Sequence, residues 1–288
     1  MNLFDKLVDE ALRNEPQSAT LRTVVEKEIL HHDILRIFSE NDLLRSLTFI
    51  GGTCLRYCYG GTRLSEDLHF TCGTDFTRKS LSDIGHLIIE NIYQKYRFAV
   101  RVSEPIHDKG NVDTWKIRIE TRAVQKHLPA QRINIDICAV PSYDTKPMVL
   151  LNTYGIDMGT SGLIIQAQSK EEIYTDKLLA FALRPNRIKY RDLWDIAWLH
   201  RTGIKPKIQL LADKLHDRKC SQEHFLKAFD ERRKSLSTDN KKAQEFNQEM
   251  ERFLSQEQIS QLRKQTNFWH FMVQLLADLE IQIKSNME

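Results

Sequence analysis

Apolar and polar residues alternate in short segments of the first part of the chain, mixed with helical periods, whereas the remainder shows almost only helical spacing. Alternation at every second position is typical of a half-buried strand, and repeats of three to four residues are typical of a helix. The change falls near residue 168. We therefore predict a mixed α/β lobe over residues 1–168 and an all-helical lobe over residues 169–288.

The same patterns locate individual elements. Strands are predicted at residues 47–50, 67–71, 98–102, 115–121, 133–138 and 163–168. Helices of the first lobe are predicted at residues 1–18, 20–40, 53–59 and 79–96. His31 and His32 are expected on a helix surface. In the second lobe helices are predicted at residues 171–183, 190–201, 206–217, 221–235, 239–254, 256–264 and 267–284.

Composition indicates an ordinary globular protein of the cytoplasm. The 288 residues can form one large domain or two lobes, and the N-terminus lacks the apolar core of a signal peptide. No apolar run is long enough to span a bilayer, and the five cysteines lack the regular spacing of a disulfide framework. The net charge of +3 is too small to indicate nucleic acid by itself, so a local basic patch would be needed.

Gly51, Gly52 and Thr53 stand between a predicted strand and a predicted helix. Glycines at such a turn let backbone N–H groups approach phosphate oxygens closely, and the helix N-terminus adds a favourable dipole. No Gly-Lys-Ser/Thr follows, which excludes a Walker A loop. The alternative is a tight turn in which Thr53 is the N-cap of the helix.

Asp67 and Asp136 lie on predicted strands, each on the face opposite the bulky apolar residues. If the two strands are neighbours in one sheet, both carboxylates converge near the Gly-Gly turn. Carboxylate oxygens of this kind hold Mg²⁺ while nucleotide phosphates supply the rest of its coordination. The alternative is a pair of exposed strand carboxylates. His69 stands on the same face, where a metal site with two neighbouring carboxylates would have a second Asp.

Charged residues cluster at the start of the second lobe. Lys177 could reach a phosphate across a cleft between the lobes, although a solvated lysine is the alternative. Arg191 and Asp192 open the next helix, Asp192 and Asp195 share a face, and Arg191 could pair with Asp195. Such a cluster suits a triphosphate or an RNA backbone, but it can also be a solvated face.

Taken in order, these segments resemble the AbiEii family of nucleotidyltransferase-like toxins. The matching segments are Val25-Glu26-Lys27, Phe49 to Arg56, Tyr59-Gly60, Arg63-x-Ser65-Glu66-Asp67-Leu68-x-Phe70, Ile135-Asp136, Glu171 to Leu178, and Arg191-Asp192-Leu193-Trp194-Asp195. The resemblance covers roughly residues 24–200. It implies an α+β fold, with a polymerase-β-type mixed sheet and flanking helices followed by a helical lobe. It also implies a toxin of a type IV toxin–antitoxin or abortive-infection system.

The resemblance further implies roles by position. Asp67 would bind the metal, with His69 and Asp136 beside it, and Asp136 would deprotonate the attacking hydroxyl. Asp192 would complete the part of the catalytic site in the second lobe. The nucleotide would be bound by Gly51, Gly52, Thr53, Arg63, Ser65, Lys177 and Arg191, with Lys177 also counted among the catalytic residues.

His69 departs from the family pattern, Ser-Glu-Asp-Leu/Ile-Asp-Phe, in which a second Asp occupies its place. Two carboxylates normally share the metals of nucleotidyl transfer. A neutral imidazole is a poorer ligand for Mg²⁺ and suits Mn²⁺ better. Either one metal suffices, or the preferred metal has changed, or activity is weak or lost.

The function that follows is metal-dependent transfer of a nucleoside monophosphate from an NTP to an acceptor hydroxyl. Mg²⁺ is the expected cofactor with Mn²⁺ as the alternative, transfer RNA is the expected acceptor, and a cognate antitoxin is a further expected partner. One alternative function, motivated by His69, is a degenerate fold that binds nucleotide or RNA without turnover. Another is a phosphotransferase that acts on a protein.

Overall fold

The computed structural model describes residues 2–73, 81–105, 111–122, 129–239, 241–265 and 267–287. The chain divides into two compact units, Met1–Gln168 and Ser169–Glu288. Buried apolar side chains occur in both units. Among the described helices, none combines the length and the apolar character that crossing a membrane requires.

A seven-stranded mixed sheet forms the centre of the first unit. Its strands are β1 (Thr48–Phe49), β2 (Leu68–Thr71), β3 (Ala99–Ser103), β4 (Val112–Glu120), β5 (Gln131–Cys138), β6 (Thr145–Val149) and β7 (Ile164–Gln168). Their order across the sheet is β3-β4-β5-β2-β1-β7-β6. The pairs β2·β5 and β1·β7 are parallel, and the remaining pairs are antiparallel. The mixed sheet with its flanking helices confirms the predicted fold class.

Helices cover one face of this sheet. The α-helices of the unit are α1 (Leu3–Asn14), α2 (Arg22–Glu40), α3 (Gly51–Tyr59) and α4 (Ile84–Tyr96), and short 3-10 helices lie at Pro16–Leu21 and Leu43–Ser46. Contacts join α2 to β5 and α4 to β3. On β4 and β5 the apolar side chains of Trp115, Ile117 and Ile135 are buried, whereas the alternate residues Lys116 and Arg132 are exposed. The period of two therefore places a polar face opposite the helical layer.

The expectation that His31 and His32 lie on a helix surface is wrong, because these two residues of α2 have fully buried side chains. His31 accepts a hydrogen bond at Nδ1 from the Tyr57 hydroxyl (2.9 Å) and donates from Nε2 to the Glu66 carbonyl (3.0 Å). His32 Nδ1 lies 2.6 Å from Thr160 Oγ1. Burial lowers the pKa of each histidine to about 3, so both are neutral near pH 7.

The described part of the second unit contains helices joined by loops and no strand. Its helices are α5 (Lys170–Leu183), α6 (Tyr190–Arg201), α7 (Leu211–Asp217), α8 (Gln222–Thr238), α9 (Lys241–Met250), α10 (Gln256–Lys264) and α11 (Phe268–Met287). Aromatic side chains fill its core, for example Phe181 and Phe229, whose ring centroids lie 5.1 Å apart. The helical periods along this part of the sequence therefore identified every one of these helices.

Boundaries differ from the prediction at a few places in the first unit. Helix α3 begins at Gly51 instead of residue 53, and α4 begins at Ile84. Residues 79–80 of the helix predicted at 79–96 lie outside the described residues. Strand β6 was not predicted, because Pro147 interrupts a short segment with little apolar alternation. It pairs with β7 at the end of the strand order, a position where proline is tolerated.

Candidate functional site

The parallel pairing of β2 with β5 brings two predicted site residues together. His69 lies opposite Asp136 in the register, which confirms that the two strands are neighbours. His69 Nε2 is 3.4 Å from Asp136 Oδ2, and the side chains are 37% and 29% exposed. The pair is therefore accessible to a ligand from solvent.

Neighbouring strands orient the two carboxylates of the site. Asp67 directly precedes β2, and its Oδ1 accepts a hydrogen bond from the backbone N–H of Asn134 (2.9 Å). Asp136 Oδ1 accepts one from the hydroxyl of Thr114, its cross-strand partner on β4 (2.7 Å). Sequence reasoning did not single out Asn134 or Thr114. For Thr114 the available signal was its alternation with Trp115 and Ile117, which places it on the same face as Asp136. The Asn134 contact is made by a backbone N–H, which residue type does not reveal.

The N-terminus of α3 lies beside His69. Gly51 has φ +76°, a left-handed conformation that glycine adopts without strain. The N–H of Ile50 donates to the His69 carbonyl (3.0 Å), and a Cβ built on Gly51 would lie 3.8 Å from His69 Cβ. The first N–H groups of a helix, here including those of Gly52 and Thr53, have no acceptor within the helix. They form a polar surface suited to an anion next to the imidazole.

Thr53 and Ser65 join the first turn of α3 to the segment that carries Asp67. Both residues are buried, and their hydroxyl oxygens lie 2.5 Å apart. The Thr53 hydroxyl also donates to the Asp67 carbonyl oxygen. The alternative in which Thr53 is an N-cap is wrong, since Ile50 occupies that position and makes no capping side-chain hydrogen bond.

Glu28, a residue that the sequence analysis missed, holds the same segment from α2. Its carboxylate is fully buried and accepts hydrogen bonds from the Ser65 N–H (2.9 Å), the Tyr154 hydroxyl (2.6 Å) and the Arg56 guanidinium (3.3 Å). His31 adds its bond to the Glu66 carbonyl. The adjacent motif Val25-Glu26-Lys27 marked this helix, but partners 28 to 126 positions away leave no local signal.

Further contacts fix the residues around Glu66. Lys27 Nζ lies 3.0 Å from Glu66 Oε1, and both side chains are largely covered. Arg63, a predicted nucleotide-binding residue, is buried and donates to the Leu64 carbonyl (3.1 Å). The segment that leads into Asp67 is therefore held by side chains of α2 and α3 and by its own backbone.

In the second unit Lys177 and Asp192 are in contact. Lys177 Nζ lies 2.6 Å from Asp192 Oδ1 and 2.8 Å from Asp195 Oδ2, and Arg184 Nη2 lies 2.8 Å from Asp192 Oδ2. Burial by itself raises the pKa of the Asp192 carboxyl, but Lys177 and Arg184 outweigh burial and hold that pKa well below its usual range. Since Lys177 is buried, the solvated-lysine alternative is wrong.

Arg191 points to a different part of the second unit. Its guanidinium lies 4.5 Å from the centroid of the Phe253 ring, and its Nε is 3.7 Å from Glu249 Oε1. The predicted site residues thus form separate sets within the two units. Gly51, Asp67, His69 and Asp136 lie close together in the first, and Lys177 contacts Asp192 in the second. Among the described residues, no group of three or more His, Cys, Asp or Glu has the arrangement of a metal site.

Comparisons with known proteins place this chain in a family. None of the curated protein sequences compared with it matches. The solved structure of MenT4, a nucleotidyltransferase toxin from Mycobacterium tuberculosis, is 18% identical with a TM-score of 0.49, over 71% of this chain and 67% of that one. JHP933 from Helicobacter pylori is 16% identical with a TM-score of 0.47, over 92% of this chain and 94% of that one.

These structural similarities are too weak to carry an argument about function. The family model described as nucleotidyl transferase AbiEii toxin, type IV toxin–antitoxin system, matches residues 33–272, which is most of the chain. This chain therefore belongs to the AbiEii family of nucleotidyltransferase toxins.

Proposed function

We propose that this protein transfers a nucleoside monophosphate from an NTP to a hydroxyl of transfer RNA, as the toxin of a type IV toxin–antitoxin pair. The observation that carries the proposal is the register of β2 against β5, which sets Asp136 beside His69 next to Asp67. The N-terminus of α3 lies against His69. Oxygen ligands for a cation and N–H donors for phosphates are thus neighbours in an accessible part of the sheet.

Asp67 and Asp136 would hold a divalent metal ion, with His69, which stands opposite Asp136 on the neighbouring strand, beside them. The described side chains do not form a three-ligand group by themselves, so the proposed ion depends on oxygen atoms of the substrate for the rest of its coordination. Mg²⁺ in nucleotide sites is usually held by one or two carboxylates and completes its coordination with phosphate oxygens and water, so these residues fit without a third acid. The imidazole favours Mn²⁺, which accepts nitrogen ligands more readily. When bound, the metal stabilises negative charge on the phosphate oxygens.

The protein's own groups account for positioning and proton transfer. The first N–H groups of α3 bind phosphate oxygens, and Asp136, oriented by Thr114, accepts the proton of the attacking hydroxyl. A bond forms between the acceptor oxygen and the α-phosphorus while the bond from that phosphorus to the bridging oxygen breaks. Pyrophosphate leaves with the electron pair.

Lys177 is proposed to contact the phosphates, with Asp192 as the residue that positions its ammonium group. Two carboxylates hold Lys177 Nζ at 2.6 and 2.8 Å. They restrict a long side chain that would otherwise lose rotamer entropy on binding.

The test is incubation of the purified protein with each α-labelled NTP, Mg²⁺ or Mn²⁺, and total RNA. We expect label in the transfer RNA fraction and a loss of about a thousandfold in Asp67→Asn, corresponding to about 4 kcal/mol of transition-state stabilisation. Asp42→Asn removes an exposed carboxylate of the same unit and should leave labelling unchanged. Absence of label in every product with either metal would reject the proposal.

The contact between His69 and Asp136 also favours a second candidate, nucleotide binding without turnover. The His69 imidazole lies 3.4 Å from Asp136 Oδ2, an oxygen that would bind the metal or accept the proton of the attacking hydroxyl. Calorimetry that shows NTP binding, with labelling only in His69→Asp, would establish this second function. Label from a γ-phosphate on a protein serine would instead indicate a phosphotransferase.

A further inference from the structure

The exposed face of the sheet carries a row of arginines. Arg101 on β3 pairs with Arg118 on β4, and Arg118 pairs with Arg132 on β5. All three residues are exposed. Adjacent strands lie about 4.8 Å apart, so three like charges stand side by side across three neighbouring strands.

The described part of the unit neutralises this row only weakly. Like charges directly opposite each other on neighbouring strands are unfavourable. Glu120 Oε1 lies 3.9 Å from Arg118 Nη2, but both side chains are about half exposed and the contact is long, which makes the pair weak. The fold therefore gains little from this arrangement, whereas a ligand with regularly spaced negative charges would relieve the repulsion.

The row leads along the sheet to the candidate site. On β4 and β5 the successive cross-strand pairs on this face are Arg118 with Arg132, Lys116 with Asn134, and Thr114 with Asp136. Neighbouring pairs on one face are two residues apart, at about 3.3 Å for each residue, so the arginine row lies roughly 13 Å from Asp136. Lys116, also exposed, stands between them.

We propose that Arg101, Arg118 and Arg132, together with Lys116, bind the phosphate backbone of the acceptor RNA and direct its end to Asp136. Guanidinium groups match phosphate oxygens in a bidentate geometry. On this face β3, β4 and β5 present no aromatic side chain for base stacking among the described residues. The contacts are therefore to phosphates and independent of base sequence. The inference rests on the proposed function in that the acceptor is RNA.

The experiment compares two triple variants of the full chain. The first replaces Arg101, Arg118 and Arg132 with Gln. The second makes the same replacement at Lys6, Arg13 and Arg45, which are exposed and lie outside the sheet. Each variant removes three positive charges and changes the net charge from +3 to 0. Binding of a fluorescein-labelled transfer RNA pool is measured by anisotropy at several salt concentrations, and NTP binding is measured by calorimetry.

For the arginine-row variant we expect the Kd for transfer RNA to rise at least about tenfold. The slope of log K against log salt should fall in magnitude by about 2 to 3, since each lost phosphate contact contributes about 0.7 to 0.9. NTP affinity should stay within about twofold, and a variant with three Lys in place of the arginines should retain most RNA binding. The second triple variant should resemble the wild type.

Three binding results would each overturn the inference: RNA affinity unchanged in the arginine-row variant, equal losses in both triple variants, or displacement of the RNA by poly-glutamate at equal charge concentration. The last would assign the row to an acidic protein segment. Failure of the proposed function is distinguishable, because a protein that binds RNA through the row but transfers no label would refute only that function. A protein that labels RNA equally with and without the arginines would refute only the row.

Discussion

Carboxylates in the two units of this chain have opposite surroundings. Asp136 is partly exposed, accepts one hydrogen bond from Thr114 and lies 3.4 Å from a histidine. Asp192 is buried and bonds to Lys177 at 2.6 Å and to Arg184 at 2.8 Å. An accessible carboxylate has capacity for a ligand, whereas a buried one satisfied by cations contributes to stability and fixes the position of those cations. Residue type and motif position alone do not distinguish these two cases.

The largest expected effect on stability follows from breaking the buried set. In Asp192→Asn, Lys177 and Arg184 lose a charged partner inside the unit, so the free energy of unfolding should fall by about 3 to 5 kcal/mol. Asp67→Asn keeps an oxygen that can accept from the Asn134 N–H and should cost less than about 1 kcal/mol. Urea unfolding of both variants at pH 7 measures the difference.

The pH dependence of the free energy of unfolding provides a control for the Asp192→Asn variant. The folded-state pKa of Asp192 is depressed, so its contribution is present above the ordinary pKa near 3.8 and is lost as pH falls through the folded value. The deficit of Asp192→Asn should therefore stay constant from pH 7 to about pH 4 and shrink below that. Equal losses in Asp192→Asn and Asp67→Asn would contradict the proposed contrast between the units.

Elements with a clear periodicity were predictable from sequence. The isoleucines of β5 alternate with Asn134 and Asp136, which fixes both the strand and the face of the carboxylate. The local pattern predicted the face on which Asp136 lies. That His69 is its neighbour depends on which strands pair, and from the sequence this pairing could be stated only as a condition. The arginine row was hidden for the same reason, since Arg101, Arg118 and Arg132 become a row only in the register of three strands.

Burial of polar residues in α2 was not predictable. Glu28 and His31 are residue types that are typical of a solvated helix face, yet both side chains are fully buried. Each is compensated by partners from distant segments, such as Tyr154 for Glu28 and Tyr57 for His31. The low free-energy cost of burying a polar group depends on those partners, and no local period encodes them.

The next largest effect tests this buried support of the open site. Glu28→Gln replaces one accepting oxygen with an amide NH₂, so either Ser65 or the Tyr154 and Arg56 donors lose their acceptor. We expect a loss of about 2 to 3 kcal/mol in the free energy of unfolding. Nucleotide transfer should also slow about tenfold at temperatures where the variant is folded, because Asp67 follows this segment.

Glu90→Gln is the matched control, since Glu90 is an exposed residue of α4. It should change neither stability nor transfer. A Glu28→Gln variant that is destabilised but transfers nucleotides at the wild-type rate would separate the support of the fold from the positioning of Asp67. That result would limit the role of Glu28 to folding.

Buried histidines predict the pH dependence of the first unit. His31 and His32 have folded-state pKa values of about 3 against an ordinary value of 6.5, so the unfolded chain binds more protons between these limits. Stability should therefore fall as pH decreases from about 6.5, by up to about 1.4 kcal/mol per pH unit for each histidine. Urea unfolding between pH 4.5 and 6.5 gives the slope.

His32→Gln should reduce that slope by the contribution of one histidine. His86→Gln, which changes an exposed histidine, should leave it as in the wild type. A full wild-type slope in His32→Gln would show that protonation of His32 does not contribute to the acid sensitivity.

The smallest effect on stability is expected at the open site itself, in His69→Asp. A second carboxylate opposite Asp136 in the register creates repulsion between like charges, which should cost about 1 kcal/mol and lower Tm by roughly 2 to 4 °C without metal. Mg²⁺ should reverse the loss, since two adjacent carboxylates bind it well. His69→Asn should show no such recovery. An equal loss with and without Mg²⁺ would mean that the added carboxylate and Asp136 do not share a metal ion, and the contrast between an open, ligand-binding sheet end and a closed ion-pair cluster would lose its basis.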